Sequence, residues 1–160
     1  MNKRTLVLSL LGPASLAVVA AGCGGSSSAA ASSSHTPSTT GPVVAVAHNP
    51  LGSILVDTRG RSLYLFEQDK GTTSTCTGAC ASVWPPVKAP AGLVAGRGVA
   101  HAKLGVTRRK DGRVQVTYAG HPLYSYAGDA KPGDTRGQGI DQFGAKWYVL
   151  APNGRKIDED

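Results

Sequence analysis

Leu63-Tyr64-Leu65-Phe66-Glu67-Gln68-Asp69 returns sixty residues later as Leu123-Tyr124-Ser125-Tyr126-Ala127-Gly128-Asp129. Each copy follows a glycine, Gly60 or Gly120, and precedes a loop that ends on a tryptophan, Trp84 or Trp147. An internal repeat implies one supersecondary unit used twice, whose apolar face is covered only when the units pair. On a strand, successive side chains point to opposite faces. Leu63 and Leu65 then share one face, and Tyr64 and Phe66 the other. In the second copy Leu123 pairs with Ser125, and Tyr124 with Tyr126. The shared element is the aromatic pair two residues apart, a ladder that buries large area and stacks across strands. Asp69 and Asp129 each fall three residues beyond that pair. A carboxylate there accepts backbone N–H bonds and holds the following loop.

The rest of the pattern is strand and turn. Residues 43–48 are apolar and β-branched, and Asn49-Pro50 ends them. Residues 53–57 and 62–67 flank the turn Thr58-Arg59-Gly60 and read as a hairpin. A second hairpin turns at Asp111-Gly112, where glycine supplies positive φ, and leads into Val114 to Tyr118, which alternates at period two. Residues 146–150 read as a strand, followed by a turn at Pro152-Asn153-Gly154. No window of helical length carries apolar residues at three- and four-residue spacing. Only residues 75–83 suit a single helical turn, with Cys76 and Cys80 on one face. The expected fold is all-β: a small antiparallel sandwich or partly open barrel built from two related repeats, with little or no helix.

The first residues are of another kind. Lys3 and Arg4 precede an apolar stretch from Leu6 to Val19, and Ala20-Ala21-Gly22 lead into Cys23. That is the pattern of a signal peptide. The Ala-Ala-Gly-Cys string resembles the lipobox of bacterial lipoproteins, with Ala20 where that motif usually carries leucine. The resemblance implies that Cys23 is lipidated and becomes the mature N-terminus. Residues 24–42 are Gly, Ser, Ala, Thr and Pro with one histidine, a composition too polar to offset ordering entropy. Such a tether spans about 25 Å end to end. The expected organisation is a signal peptide over 1–22, a lipidated cysteine and tether over 23–42, and a single β domain over 43–160. Repeat 1 runs over about 43–90 and repeat 2 over about 100–157.

Seventeen Lys and Arg oppose ten Asp and Glu, a net charge of +7, and loss of Lys3 and Arg4 with the signal peptide leaves +5. Outside the cell such a surface favours anionic envelope polymers or lipid head groups. No nucleic-acid motif is present. With Cys23 assigned to lipid, Cys76 and Cys80 remain, and an exported compartment permits one disulfide between them. Their spacing matches neither a Cys-x-x-Cys redox motif nor haem attachment.

Taken together, the repeated strand motif, the segment Cys76-Thr77-Gly78-Ala79-Cys80 to Trp84-Pro85-Pro86, and the run Pro132-Gly133-Asp134 to Trp147-Tyr148 resemble a known family. It is the secreted repeat of bacterial lipoproteins that carries a Tyr-x-(Phe/Trp/Tyr)-x-x-Asp motif, a family without an established biochemical function. The resemblance covers nearly the whole exported domain. It implies an extracytoplasmic, lipid-anchored protein and little about mechanism. The motif residues carried over are Leu63, Tyr64, Phe66, Asp69, Trp84, Leu123, Tyr124, Tyr126, Asp129 and Trp147.

Chemistry-bearing patterns are sparse. There is no Gly-x-Ser-x-Gly elbow, and no two of His35, His48, His101 and His121 are four residues apart. Gly137-Gln138-Gly139 lacks the strand and helix that a dinucleotide loop requires. Asp129, Asp134 and Asp141 lie along one loop without EF-hand spacing. No catalytic residue, metal or cofactor is therefore expected. The function read from the sequence is that of a cell-envelope lipoprotein serving as a non-catalytic surface-binding or structural module. It is expected to be a monomer, held to the membrane by lipid, with an anionic envelope polymer or an envelope protein as partner. The alternative is a redox or metal-binding module using Cys76, Cys80 and the rings of Tyr64, Tyr124, Tyr126, Trp84 and Trp147. A β scaffold usually presents function on its loops, so the interaction surface is expected on residues 68–83 and 128–145.

Overall fold

Short β-branched runs punctuated by glycine turns settle into nine strands in the computed structural model, which describes residues 42–158. The signal segment, Cys23 and most of the tether lie outside the described residues. β1 (Pro42–Asn49) and β2 (Gly52–Val56) form an antiparallel hairpin. Its turn is held by Asn49, whose Oδ1 accepts the Leu51 N–H at 3.0 Å. β3 (Tyr64–Phe66) carries the first repeat motif, and α1 (Ala79–Val83) is one short helix. β4 (Val94–Ala95) pairs with β1 in parallel. β5 (Leu104–Arg108) and β6 (Val114–Tyr118) form the second hairpin around Asp111-Gly112, with Gly112 at φ +80°. β7 (His121–Pro122), β8 (Asp141–Gln142) and β9 (Ala145–Val149) complete the chain.

The strands make three small sheets, in the orders β2-β1-β4, β3-β9-β8 and β5-β6-β7. The fold is thus all-β and antiparallel apart from the β1–β4 pairing. Among the described residues, helix is limited to α1 and one 3₁₀ turn at His101–Lys103, and no barrel closes.

The two copies do not each close on themselves. They meet at Tyr64 and Tyr124, whose backbones exchange N–H···O bonds of 2.8 and 3.0 Å. From there each motif strand crosses to the other copy. β3 pairs with β9, setting Phe66 opposite Trp147 and Tyr64 opposite Val149. Reciprocally, Tyr124 bridges to Pro86, and Ser125 N donates to Pro85 O at 3.0 Å. The bonds recur in equivalent pairs: Glu67 N to Lys146 O (3.1 Å) matches Ala127 N to Val83 O (2.9 Å). Leu150 N to Leu63 O (3.1 Å) likewise matches Val87 N to Leu123 O (2.9 Å).

The hairpin expected over residues 53–67 forms around its turn, but the exchange draws the rest of the returning segment away from it. β2 pairs along its length with β1, and the returning segment is held to it by the Val56–Ser62 bridge, by Asp57 N to Arg61 O at 2.9 Å and by Leu63 N to Leu55 O at 2.9 Å. The motif strand leaves because its aromatic face finds its cover on the other copy. A second difference concerns β6. Its period-two pattern predicts one wet face, yet Gln115 and Thr117 are buried along with Val116 and Tyr118. Gln115 is satisfied internally: its Nε2 donates to Leu123 O at 2.8 Å.

The two faces read from the repeat become two cores. Leu63, Leu65 and Leu123 join Val116, Tyr118, Tyr148 and Leu150 in one cluster. Tyr64, Phe66, Tyr124, Trp84, Trp147 and the disulfide form the other.

Candidate functional site

The repeat residues come together at the junction of the copies. Tyr64 Oη donates to Asp129 Oδ2 at 2.6 Å, and Tyr124 Oη donates to Asp69 Oδ2 at 2.7 Å. Each tyrosine thus bonds the aspartate of the other copy. Each aspartate also holds its own loop, as its position predicts. Asp69 Oδ1 accepts from Thr75 N and Thr75 Oγ1, and Asp129 Oδ1 accepts from Arg136 N. Burial, and then the carboxylate of Asp129, push the Tyr64 phenol far above its ordinary value. Burial does the same to Tyr124. Both hydroxyls therefore remain donors across the accessible pH range. Asp129 is itself raised, because burial outweighs the Tyr64 hydroxyl and the Arg136 N–H that favour its charge.

Above these bonds the rings stack across the copies. Trp84 lies on Trp147 with centroids 4.0 Å apart and planes 4° from parallel. Phe66 stacks on the outer side of Trp147 at 4.1 Å, and Tyr126 lies against Trp84 at 4.3 Å. Tyr64 and Tyr124 meet Trp84 and Trp147 edge-on, at 5.3 and 5.1 Å. Gln142 serves both indoles: Trp84 Nε1 donates to its Oε1 at 2.9 Å, and Trp147 Nε1 to its backbone O at 3.0 Å.

Cys76 and Cys80 are joined as a disulfide, with Cα atoms 5.3 Å apart. Neither then offers a thiolate to copper or zinc. Among the described residues, no three His, Cys, Asp or Glu side chains gather as a metal site. Sequence reasoning missed the group that pins this loop. Arg109, two residues before the Asp111-Gly112 turn, is buried; its guanidinium donates to Gln115 Oε1 at 2.8 Å, to Cys76 O at 2.6 Å and to Ser74 Oγ. Ser74 Oγ in turn meets Tyr124 Oη at 2.7 Å. No local sequence signal marks Arg109, since Gln115, a polar residue set between two valines, reads as the wet face of a strand.

The open surface lies elsewhere. A cleft of about 500 Å³ is lined by Asp57, Arg59 and Arg61 from the first turn, by Pro85, Pro86, Lys88 and Pro90 beyond Trp84, and by Ser125. Arg61 is tied to Asp57, with Nη2–Oδ2 at 2.7 Å. Arg59 and Lys88 are exposed and, among the described residues, make no ion pair. A second cleft of about 690 Å³ lies beside the first motif strand, lined by Leu65, Phe66, Glu67, Asp69 and Lys70, by His121, and by residues 154–158 near the end of the described chain. Its charges cancel: Lys70, Arg155 and Lys156 face Glu67, Asp69 and Asp158, and Lys156 bonds Asp158 at 2.7 Å and Glu67 at 2.9 Å. Its His121 is lowered by burial. Loops 68–83 and 128–145, expected to form the interaction surface, give the first cleft no residue. Asp69, Ser74, Asp129 and Gln142 turn inward, to the tyrosines, Arg109 and the two indoles, while Lys70, Thr72, Thr73, Thr77, Lys131 and Arg136 remain exposed. Among the stacked rings, Phe66 borders the second cleft. Trp84, Trp147, Tyr64, Tyr124 and Tyr126 pack on one another.

A family model matches the chain twice, over residues 45–88 and 105–151, one match on each copy. The chain belongs to the family described as a secreted repeat of unknown function. Each match runs from a hairpin through the motif strand to just past the tryptophan, so the family unit is the element that exchanges strands here. A secreted-repeat family points to an extracytoplasmic location. Among the described residues no helix is long and apolar enough to cross a membrane. No curated protein and no solved structure matches the chain.

Proposed function

We propose that the protein is a lipoprotein of the cell envelope, anchored through Cys23, whose repeat-built domain binds an anionic envelope ligand without catalysis. One observation carries the binding reading: the cationic cleft, where Arg59 and Lys88 stand exposed beside an Arg61 already neutralised by Asp57. The second cleft, by contrast, carries balanced charges. Arginine suits such a role, since its planar fork matches phosphate and carboxylate oxygens. The test is the affinity of the full-length protein for a polyanion at low and physiological salt. Arg59→Gln with Lys88→Gln should reduce binding at least tenfold; an unchanged affinity overturns the assignment. Loss of membrane association in Cys23→Ser supports the anchor, and unchanged association refutes lipid as its cause.

A further inference from the structure

We infer that the cationic cleft continues over the Pro85–Lys88 segment into a smaller neighbour, so that the site takes a linear polyanion rather than a single small anion. This rests on the binding reading above. The neighbour, about 130 Å³, shares Pro85, Pro86 and Lys88 with the first cleft and adds Arg109 and Arg113. Lys88 therefore borders both spaces, with Arg59 on one side and Arg113 on the other. Arg113 keeps 69% of its side chain exposed and lies 3.7 Å from the carboxylate of Asp111, a loose contact. Arg109 is buried and engaged with Ser74, Gln115 and Cys76, so it shapes the floor rather than meeting a ligand.

The segment between the clefts is fixed. Pro85 O accepts from Ser125 N, Val87 N donates to Leu123 O, Val87 O accepts from Val116 N, and Ala89 N donates to Val114 O. Lys88 is thus held on a rigid ridge, with Arg59 bordering the cleft on one side and Arg113 that on the other. A lone phosphate meets Lys88 and the cation of one side. A chain of repeating charge meets Arg59, Lys88 and Arg113 together and gains from releasing its condensed counterions.

The experiment titrates the full-length protein with inorganic phosphate, a linear phosphodiester polymer and a linear polycarboxylate over a range of salt. The polymers should bind far more tightly than phosphate, and comparison of the two identifies which charge the ridge prefers. Arg59→Gln and Arg113→Gln should each weaken polymer binding several-fold, and each should flatten the slope of log K against log salt by about 0.7. Both residues are exposed, so neither variant endangers the fold. Lys70→Gln, in the balanced cleft, should change nothing. If Arg113→Gln binds polymer like the parent while the Arg59 and Lys88 variants do not, the track fails and the single cleft stands. If none of these variants alters binding, both readings fall. Polymer no tighter than phosphate also overturns the track.

Discussion

Tyr64→Phe removes one oxygen atom from the centre of the molecule and leaves the ring in place. The edge contact with Trp84 survives, so no cavity opens. Two bonds are lost: the donation to Asp129 Oδ2 at 2.6 Å, and the acceptance of Gly137 N–H at 3.3 Å. A hydrogen bond to a charged group is worth about 1.5–3 kcal/mol net, so the loss should be about 2–3 kcal/mol, most of it from the carboxylate left short of a donor. For a domain of this size that lowers Tm by roughly 10 °C. The loss also depends on pH. Asp129 has a folded pKa raised above its unfolded one, so between the two values the native state holds more protons, and stability falls as pH rises through that window. Removing the Tyr64 hydroxyl takes away a bond that favours the charged carboxylate and widens the window. The deficit should be full at neutral pH and shrink as acid protonates Asp129. Urea unfolding at several pH values measures it, and Asp129→Asn provides the cycle: Tyr64→Phe should cost about 1 kcal/mol in that background, as for a neutral bond. A loss under about 0.5 kcal/mol at neutral pH, or one that grows in acid, would refute the reasoning.

Other parts of the fold give equally definite expectations. A Cβ at Gly137 would stand 2.7 Å from Trp84 Cη2 and 3.0 Å from Tyr64 Cε1. The stacked rings cannot yield, so Gly137→Ala should cost about 2 kcal/mol by thermal unfolding and disturb the near-ultraviolet circular dichroism of the tryptophans. Phe143 holds φ +61° at the tip of the β8–β9 hairpin, before Gly144, and is 38% exposed. Phe143→Asn, which tolerates that turn, should raise stability by about 1 kcal/mol, and a lower midpoint in urea would count against the strain. Replacing Cys76 and Cys80 together by serine frees only a five-residue loop and should cost about 2 kcal/mol, with the fold retained by circular dichroism.

The parts legible in the sequence are those that periodicity controls. Alternation put Tyr64 and Phe66 on one face and Leu63 and Leu65 on the other, and those faces are the two cores. Asp111-Gly112 and Pro152-Asn153-Gly154 turn as their residue types require. Periodicity names a face but not its neighbour, and for that reason the exchange of β3 onto β9 was invisible. Arg109 was hidden for a related reason. A charged residue beside an Asp-Gly turn ordinarily faces water, and nothing local says that Ser74, Gln115 and the Cys76 carbonyl converge on it. The cationic cleft gathers Val43 with residues from 57–61, 85–90 and 125, four separate segments, so no single window contains it.

The crossing of the motif strands has a consequence for what the connecting segment does. Each copy buries its aromatic strand in the other, so the peptide between them is not what holds the halves together. A break placed after Gly98 would leave two polypeptides clasped by the Tyr64–Tyr124 bridge, two reciprocal strand pairings and the four stacked rings. Such a nicked protein should travel as one particle in native gel filtration and separate only in denaturant. Either half alone would carry two uncovered rings of the interleaved stack and should aggregate or seek a second copy of itself. In assembly terms, this one chain behaves as a dimer whose two subunits happen to be joined end to end.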